Sequence, residues 1–516
     1  MFSRRGRRSI LGSLGFVVLA FCAGKEPDRA AGQPRAEASR REAQAKSPKL
    51  AQSSGRVFYV APTGTPSGDG SSEAPWDLQT ALDQPADVHP GDTILLRGGA
   101  YSGSFISNLN GTLSDPIIVR GYTGEWAKLD GGSHSEGVAI VQVKGSYTWF
   151  WGFEVMSSDT KRQSGQTGSS PSDILRGDGF AIAQEGGGAT HPGLKFINLV
   201  VHDARQGFSF WEEAVGGEIS GCLIYYNGFT SPDRGHGHGI YTQNQTGTKT
   251  IRDNIIVSGF GLGIQAYGSS EVHLDNYLVE GNTIFDSGEL EPTGASRNLL
   301  IGGSSVARNP QILDNALYRA TDQEVNTDLK LGNAATCDSP TITGNYVASS
   351  VDVDCTALKV TGNLFYGSPL VGISQSQFPN NTYLSTRPAG TRVFVRPNAY
   401  EDGRANITIY NWDRHSTVPV DMSSALTVGS DFEVRNAQDF FGAPVASGTY
   451  GGGSITLPMT GLSVASPMGW PAPAPTGPEF NAFVVLTTRY ARARPVTVPM
   501  PTPKRPILLP SRPAGP

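Results

Sequence analysis

Charged side chains are scarce in this chain of 516 residues, where Asp, Glu, Lys and Arg together make up 17%. Their formal sum is −5 at pH 7, and no stretch resembles a basic groove, so the composition gives no electrostatic basis for binding nucleic acid. Glycine is abundant by contrast, at 64 residues. Few charges and many glycines are typical of a β protein that is rich in turns.

Long apolar runs are lacking near the start of the chain. The run Ile10–Ala23 follows four arginines within residues 1–8 and is too short to span a membrane comfortably. A charged segment followed by a short apolar one predicts a bacterial-type signal peptide over residues 1–24, and therefore an exported protein, whether secreted, periplasmic or at the cell surface.

Two short patterns refine that prediction. Residues 7–11 resemble a twin-arginine signal, and Leu19–Cys22 resembles a bacterial lipobox in which Phe21 stands where a small residue is expected. Contact with a membrane follows only if Cys22 is lipidated; otherwise Cys22 belongs to a discarded signal peptide.

Two segments show no pattern that predicts a core. Residues 25–55 are rich in Ala, Arg, Glu, Gln and Ser without apolar periodicity, which predicts a disordered linker. Residues 491–516 are basic and rich in proline, which predicts an extended tail.

One short pattern recurs between those segments: an apolar run, an Asn, a second apolar run, then a third run led by Gly. The Asn recurs at Asn198, Asn254, Asn282, Asn315, Asn345 and Asn363. Gly221 takes the place of a missing copy. The repeat predicts rungs of three short strands, which must stack because no rung can bury its apolar side alone. We expect the Asn or Gly to be a left-handed bend residue and the amides to form a ladder.

This repeat resembles the right-handed parallel β-helix of the pectate-lyase-like superfamily, with a likeness that covers about residues 56–366. A strand at 57–62, a short helix with its apolar side at Leu78, Ala81 and Leu82, and the turn and strand at 90–101 are similar to the N-terminal cap of such proteins. The resemblance implies an all-β fold, with a β-helix over residues 56–390 that begins with a short capping helix.

The strands led by glycine can be aligned so that Phe180, Phe208, Ile240 and Ile264 point into the core. Period-two alternation then places Ser209, Tyr241 and Gln265 in one outward column and Trp211, Gln243 and Tyr267 in the next. Asp178, Gln206, His238 and Leu262 each stand just before a glycine. Aromatic rings beside amides suit a carbohydrate chain, although an ordinary solvated sheet face would look similar. The polar insertion at residues 157–176 is a candidate groove wall.

The segment Asp233–Tyr241 holds the sharpest local signal, two histidines two residues apart among glycines. For β-elimination on an acidic polysaccharide, His236 or His238 would be the base and Tyr241 the acid, and Arg205 or Arg234 would neutralise the substrate carboxylate. Asp203, next to His202, adds a titratable group to this region.

Other readings of the same region stay open. Glycoside hydrolysis would use paired carboxylates from Asp178, Asp203, Glu212 and Glu213. His236 and His238 could also bind a metal, or only support a tight turn. The resemblance makes calcium a candidate cofactor, but no clean Asp-rich motif is present. Polygalacturonase motifs are only partly echoed, and the missing Asp-Asp argues against that class; epimerase and non-catalytic glycan binder remain alternatives.

The few cysteines, four in all, restrict the covalent links. Cys337 and Cys355 lie near adjacent rungs, and an exported chain permits a bridge between them. Cys222 stands beside Leu223 in an apolar rung, which predicts a small buried core residue.

The pattern changes after residue 390. Alternating strands over residues 391–490 predict a small antiparallel β-sandwich. It resembles the accessory domains at the C-terminus of polysaccharide-active enzymes, which implies either a glycan-binding module or a cover for the last rung. We therefore expect an exported monomer that acts on an extracellular polysaccharide, with lyase as the preferred class.

Overall fold

The computed structural model describes residues 55–133, 139–291, 296–320 and 327–487. The predicted signal peptide with Cys22, all of the predicted linker except Gly55, and the predicted tail lie outside the described residues. Within the described ranges, no helix has the length and apolar character needed to cross a membrane.

Three long parallel sheets form the first part of the described chain, and each rung contributes one strand to sheet 1, then sheet 2, then sheet 3. Sheet 1 consists of Val57–Val60, Thr93–Leu96, Ile117–Gly121, Thr148–Trp151, Lys195–Ile197, Glu218–Ser220, Lys249–Arg252, Tyr277–Glu280, Gln311–Leu313, Thr341–Thr343 and Lys359–Thr361. Sheet 2 consists of Gly99–Ser102, Ala127–Asp130, Glu154–Met156, Val200–His202, Leu223–Tyr225, Ile255–Val257, Thr283–Phe285, Ala316–Tyr318, Tyr346–Ala348, Leu364–Tyr366 and Thr382–Leu384. Sheet 3 consists of Phe105–Ser107, Val141–Val143, Phe180–Ile182, Phe208–Phe210, His238–Thr242, Leu262–Ala266, Leu299–Ile301, Leu329–Leu331, Val351–Val353 and Leu370–Val371. The chain is therefore a parallel β-helix, as predicted.

The predicted amide ladder is present at the bend between sheets 1 and 2. The side-chain amide of Asn282 donates to the Asn315 oxygen at 3.0 Å, and Asn315 donates in the same way to Asn345 at 3.0 Å. Asn254, Asn363 and Asn381 extend the series. Each oxygen also accepts the backbone N–H of the preceding ladder residue, so the buried amides satisfy one another from rung to rung.

The left-handed residue of this bend is not the one we expected. In five rungs it is the residue before the ladder Asn that has positive φ, for example Asp253 at 53° and Gly281 at 66°. Gly221 aligns with Asn198, which is itself left-handed at 53°. Cys222 then takes the ladder position, and its N–H donates to the Asn254 oxygen at 2.9 Å. The bend has two residues with different tasks, one supplying the turn and one the hydrogen bonds.

A single short helix, α1 (Leu78–Leu82), lies near the start of the described residues. Asp77 accepts the Thr80 N–H at 3.0 Å as its N-cap. Leu78, Ala81 and Leu82 are buried, which is the apolar side the sequence predicts. The role of α1 as a cover for the first rung stays a prediction.

Three cysteines lie in the β-helix. The predicted disulfide between Cys337 and Cys355 is present, with their Cα atoms 4.3 Å apart. It joins the paired parallel strands Cys337–Asp338 and Cys355–Thr356, so it crosslinks adjacent rungs. Cys222 is a free, buried cysteine, as predicted.

An antiparallel region follows the β-helix. Five strands pair in the order Thr391–Pro397, Ala405–Asn411, Phe480–Thr487, Asp431–Asn436 and Ala446–Thr449. Two more, Thr417–Asp421 and Ser454–Pro458, form a second antiparallel pair. A buried apolar cluster joins the strands of the two sheets. The 3₁₀ turn Ala437–Asp439 lies between two strands of the larger sheet.

The larger antiparallel sheet packs against the outer side of sheet 2. Phe480 stacks on Tyr318 with ring centroids 4.2 Å apart, and Tyr410 lies 4.2 Å from Tyr346. Its contacts run along many rungs, from Val200 to Ala348, so this region covers much more than the last rung.

Candidate functional site

The outward columns of sheet 3 lie in the register that the sequence predicts. Ser209 pairs with Tyr241, and Tyr241 pairs with Gln265 in the next strand. Their inward neighbours Phe208 and Ile240 are 1% and 0% exposed. The Trp211 ring contacts the Tyr241 ring edge to face, with centroids 5.0 Å apart. These residues therefore share one face, as expected from period-two alternation.

A hydrogen-bonded chain links the residues that precede the glycines. His238 Nδ1 lies 2.5 Å from Gln206 Oε1, and Gln206 Nε2 donates to Ser209 Oγ at 3.0 Å. Ser209 Oγ donates to Asp178 Oδ2 at 2.6 Å, and Arg205 Nε donates to Asp178 Oδ1 at 2.9 Å. The network runs from a guanidinium to an imidazole across three strands, so it fixes the position of the His238 ring.

A cleft of about 590 Å³ opens on this face. Its lining includes most of the predicted site residues, namely Asp178, Arg205, Gln206, Trp211, Arg234, His236, His238, Tyr241, Gln265 and Tyr267. Ser209, Gln243 and Asp203 are not part of the lining. Ser169 and Ser170 do line it, which places the predicted wall, residues 157–176, at the edge of the cleft.

His238 is neutral at physiological pH in this setting. Burial lowers its pKa to about 4. A hydrogen bond with Gln265 and the negative charge of Asp178 raise the pKa, but they do not cancel the effect of burial. Because the Gln206 oxygen can only accept a hydrogen bond, Nδ1 carries the proton and Nε2 keeps its lone pair. Burial raises the pKa of the adjacent Tyr241, so its hydroxyl stays protonated. The two groups thus form a base beside an acid, with ring centroids 4.8 Å apart.

His236 is held differently from His238. It belongs to the hairpin formed by Phe229–Thr230 and Gly235–His236, stacks on Phe229 at 5.1 Å, and has a side chain that is 2% exposed. Its Nε2 lies 3.2 Å from Asp233 Oδ1. Gly237 between the two histidines has φ of 97°, and a Cβ there would meet Gly228 Cα at 2.4 Å. The close approach of the hairpin to the rung therefore requires glycine.

Asp203 lies in a buried ionic network between sheet 2 and the antiparallel region. It bonds Arg162 and His202, and it accepts the Met468 N–H at 2.9 Å. His202 Nε2 also lies 3.1 Å from Glu154 Oε1. Burial alone would lower the pKa of His202, but the two carboxylates outweigh it and raise the pKa to about 9. Asp203 is thus placed to hold the fold together rather than to face the cleft.

Arg162 and Arg176 belong to the cleft wall, residues 157–176, and bind it to neighbouring segments. Arg162 donates to the Gly228 carbonyl at 2.6 Å and to the Met468 carbonyl at 2.9 Å. Arg176 donates to the backbone carbonyls of Ser157, Asp159 and Asp203. The wall is therefore tied to a neighbouring rung, to the hairpin and to the antiparallel region at once.

Sequence reasoning missed two basic residues near the site. Arg297 lines the cleft and is in register with Leu262, because its carbonyl accepts the Gly263 N–H at 2.9 Å. Its column could have been extended from Leu262 had the strand Leu299–Ile301 been aligned with its neighbours. Lys249 is fully buried and donates to the carbonyls of Phe210, Trp211 and Gln243. It therefore fixes the backbone that carries the second outward column.

The described residues contain no group of three or more His, Cys, Asp or Glu side chains placed to hold a metal ion. The single carboxylate that lines the cleft, Asp178, is already bonded to Arg205 and Ser209. Calcium stays an untested candidate from the sequence.

A larger cavity of about 970 Å³ lies far along the β-helix. It is lined by serines, Tyr366 and Tyr383, and its arginine, Arg319, is ion-paired with Asp328 at 2.7 Å. The groups for proton transfer gather in the smaller cleft instead.

These features define a parallel β-helix protein with a cationic cleft on one sheet. No protein-family model matches the chain, and no curated protein does either. Similar solved structures include the pectate lyase Pel9A, at 18% identity over 62% of this chain and 84% of the other, with a TM-score of 0.40. An alginate lyase from Paenibacillus sp. str. FPU-7 shows 21% identity over 64% and 98%, with a TM-score of 0.37. XylC in complex with xylose shows 11% identity over 83% and 100%, with a TM-score of 0.40. These similarities are too low to show what this chain does. The parallel β-helix fold is established by the strand pairing described above.

Proposed function

We propose that this protein is a polysaccharide lyase that cleaves an acidic polysaccharide by β-elimination. The observation that carries the proposal is the charge of the cleft. Three guanidiniums, from Arg205, Arg234 and Arg297, and one carboxylate, from Asp178, line it, although the whole chain has a formal charge of −5. A cationic cleft on an anionic protein favours an anionic substrate.

The reaction needs a base, an acid and a cation, and the cleft has all three. Neutral His238 takes the proton next to the substrate carboxylate through Nε2, and an arginine balances the charge that develops there. A carbon–carbon double bond then forms as the bond to the leaving glycosidic oxygen breaks. Tyr241 gives its proton to that oxygen, and water later restores both groups.

Hydrolysis by a pair of carboxylates finds less support. Among the described residues of the cleft lining, Asp178 is the one carboxylate, and a pair is what glycoside hydrolysis ordinarily requires. Glu212, one of the acids considered for that role, lies instead 3.3 Å from His273 Nδ1. Epimerisation would use the same base and acid, with return of the proton to the opposite face of the sugar.

The finer features of the fold belong to the same proposal. We take the β-helix to be right-handed and α1 to cover its first rung. We also take the protein to be exported as a monomer, a setting that suits the Cys337–Cys355 disulfide.

The test is the ultraviolet absorbance of the unsaturated product, measured with pectate, alginate and glycosaminoglycans, with and without calcium. His238→Ala and Tyr241→Phe should each lower kcat by about 100-fold or more. His415→Ala changes an exposed histidine of the antiparallel region and should leave kcat unchanged. Glycan binding without new absorbance or reducing ends would leave a binding protein, and exchange of a ring proton with solvent deuterium without cleavage would indicate an epimerase.

A further inference from the structure

The cleft extends along the stacking direction of the rungs. Its lining reaches from Asp178, just before Phe180–Ile182, to Asn333, just after Leu329–Leu331. Those strands are the first and last of six consecutive strands of sheet 3, which at the usual spacing of neighbouring strands makes the cleft about 24 Å long. A bound polysaccharide that follows the cleft would place about one sugar on each rung.

Arg297 lies at a defined distance from the proposed reaction centre. His238 pairs with Leu262, and the Arg297 carbonyl accepts the N–H that follows Leu262. Arg297 is therefore two rungs from His238 in the same column, or about 10 Å along the axis. That separation of the two backbone positions favours contact with a sugar about two units away from the one whose proton His238 takes.

The Arg297 guanidinium has a feature that points to a ligand. Its Nε is buried and has no hydrogen-bond partner among the described residues. The acids nearest to it electrostatically, Asp352 and Asp328, are ion-paired with Lys330 and Arg319. Asp352 and Asp328 are therefore already neutralised by other cations, and the charge of Arg297, which lines the cleft, is left for an anionic ligand.

We propose that Arg297 is a specificity-determining residue that binds the carboxylate of a uronate about two sugars from the cleaved bond. The enzyme would thereby require acidic sugars in succession rather than a single one. The proposal rests on the proposed function for the identity of the cleaved bond, but its binding step can be measured without cleavage. A guanidinium suits this role because its planar donors match a carboxylate.

The test compares Arg297→Gln, Arg297→Lys and a control, Arg308→Gln, on a uronate polymer that the wild type cleaves. Arg308 is 53% exposed and lies outside the cleft lining. Arg297→Gln should raise KM by about 10-fold or more and change kcat by less than about 2-fold, because a charge-assisted bond to a remote sugar is lost. The increase should shrink when the polymer's carboxylates are randomly methyl-esterified. Arg297→Lys should retain part of the affinity, and the control should match the wild type.

An unchanged KM for Arg297→Gln would overturn the proposal, as would a loss confined to kcat, which would place Arg297 at the reacting sugar instead. Should the wild type cleave no uronate polymer, the proposed function fails and calorimetric titration with the same polymers decides about Arg297. Weaker binding by Arg297→Gln than by Arg308→Gln would then support the carboxylate site, and equal binding would overturn it.

Discussion

At the scale of single residues, the hydrogen bond between His238 and Gln206 determines which ring nitrogen of His238 can act as a base. An ordinary histidine changes charge between pH 5 and 8, whereas burial lowers the pKa of His238 to about 4. Below that pH the ring is protonated and cannot act as a base, and above it the ring is neutral. The same burial keeps Tyr241 protonated above its ordinary pKa of 10.0.

We therefore predict that kcat/KM on the preferred polymer stays flat between about pH 5 and 8. Activity should fall only as the pH drops toward about 4, where His238 gains its proton. The profile is measured at constant ionic strength beside a titration of the polymer's own carboxyl groups. A decline centred near pH 6.5, the usual pKa of histidine, would contradict this role for His238.

The columns of sheet 3 could be read from the sequence because alternation along a strand is a local property. The burial of His236 and Asp203 could not. His236 is covered by stacking on Phe229, and Asp203 is covered by contacts with Met468, 265 residues away. The first contact forms within a hairpin that alternation along a strand does not reveal, and the second joins distant segments, so neither has a signature in a single short pattern.

At the scale of the structural element, the amide ladder is the feature that links each rung to the next. Its spacing in the sequence was enough to predict the stacking of rungs, since each Asn must meet the next. The division of the bend into a turning residue and a bonding residue was missed, because Asn suits both tasks. The residue just before the ladder Asn is either Gly or Asp, as in Gly281 and Asp253, and this choice was the signal that could have separated the two tasks.

Asn315→Ala should destabilise the β-helix by about 2–5 kcal/mol, because it removes several buried hydrogen bonds at once. Asn315 is 0% exposed, accepts from Asn282, and donates to Asn345 and to the Val279 carbonyl. Denaturant unfolding followed by circular dichroism measures the loss. Asn380→Ala, at an exposed position beside the ladder, is the matched control. Equal stability of the two variants would show that the ladder contributes little.

The docking of the antiparallel region on sheet 2 is a property of the whole molecule. Its strand Phe480–Thr487 is buried on both faces, because Phe480, Ala482 and Val484 meet sheet 2 while Phe483 and Val485 meet the smaller sheet. The strands of sheet 2 carry the corresponding signal, since they are apolar at successive positions instead of alternating. Strands that are covered on both faces read this way, and this signal could have predicted that sheet 2 has a partner.

Tyr410→Ala tests whether the two parts are stabilised by each other. Tyr410 is 0% exposed, and its hydroxyl donates to the Leu317 carbonyl at 3.0 Å across the interface. Loss of a large buried ring should lower stability by about 3–5 kcal/mol. Because the ring faces sheet 2 rather than the core of its own region, both parts should lose resistance to denaturant and protease together. Val428→Ala, at a side chain that is 68% exposed in the same region, should have no such effect. Weakening of the antiparallel region alone, with the β-helix as protease-resistant as before, would show that the interface is not what stabilises sheet 2.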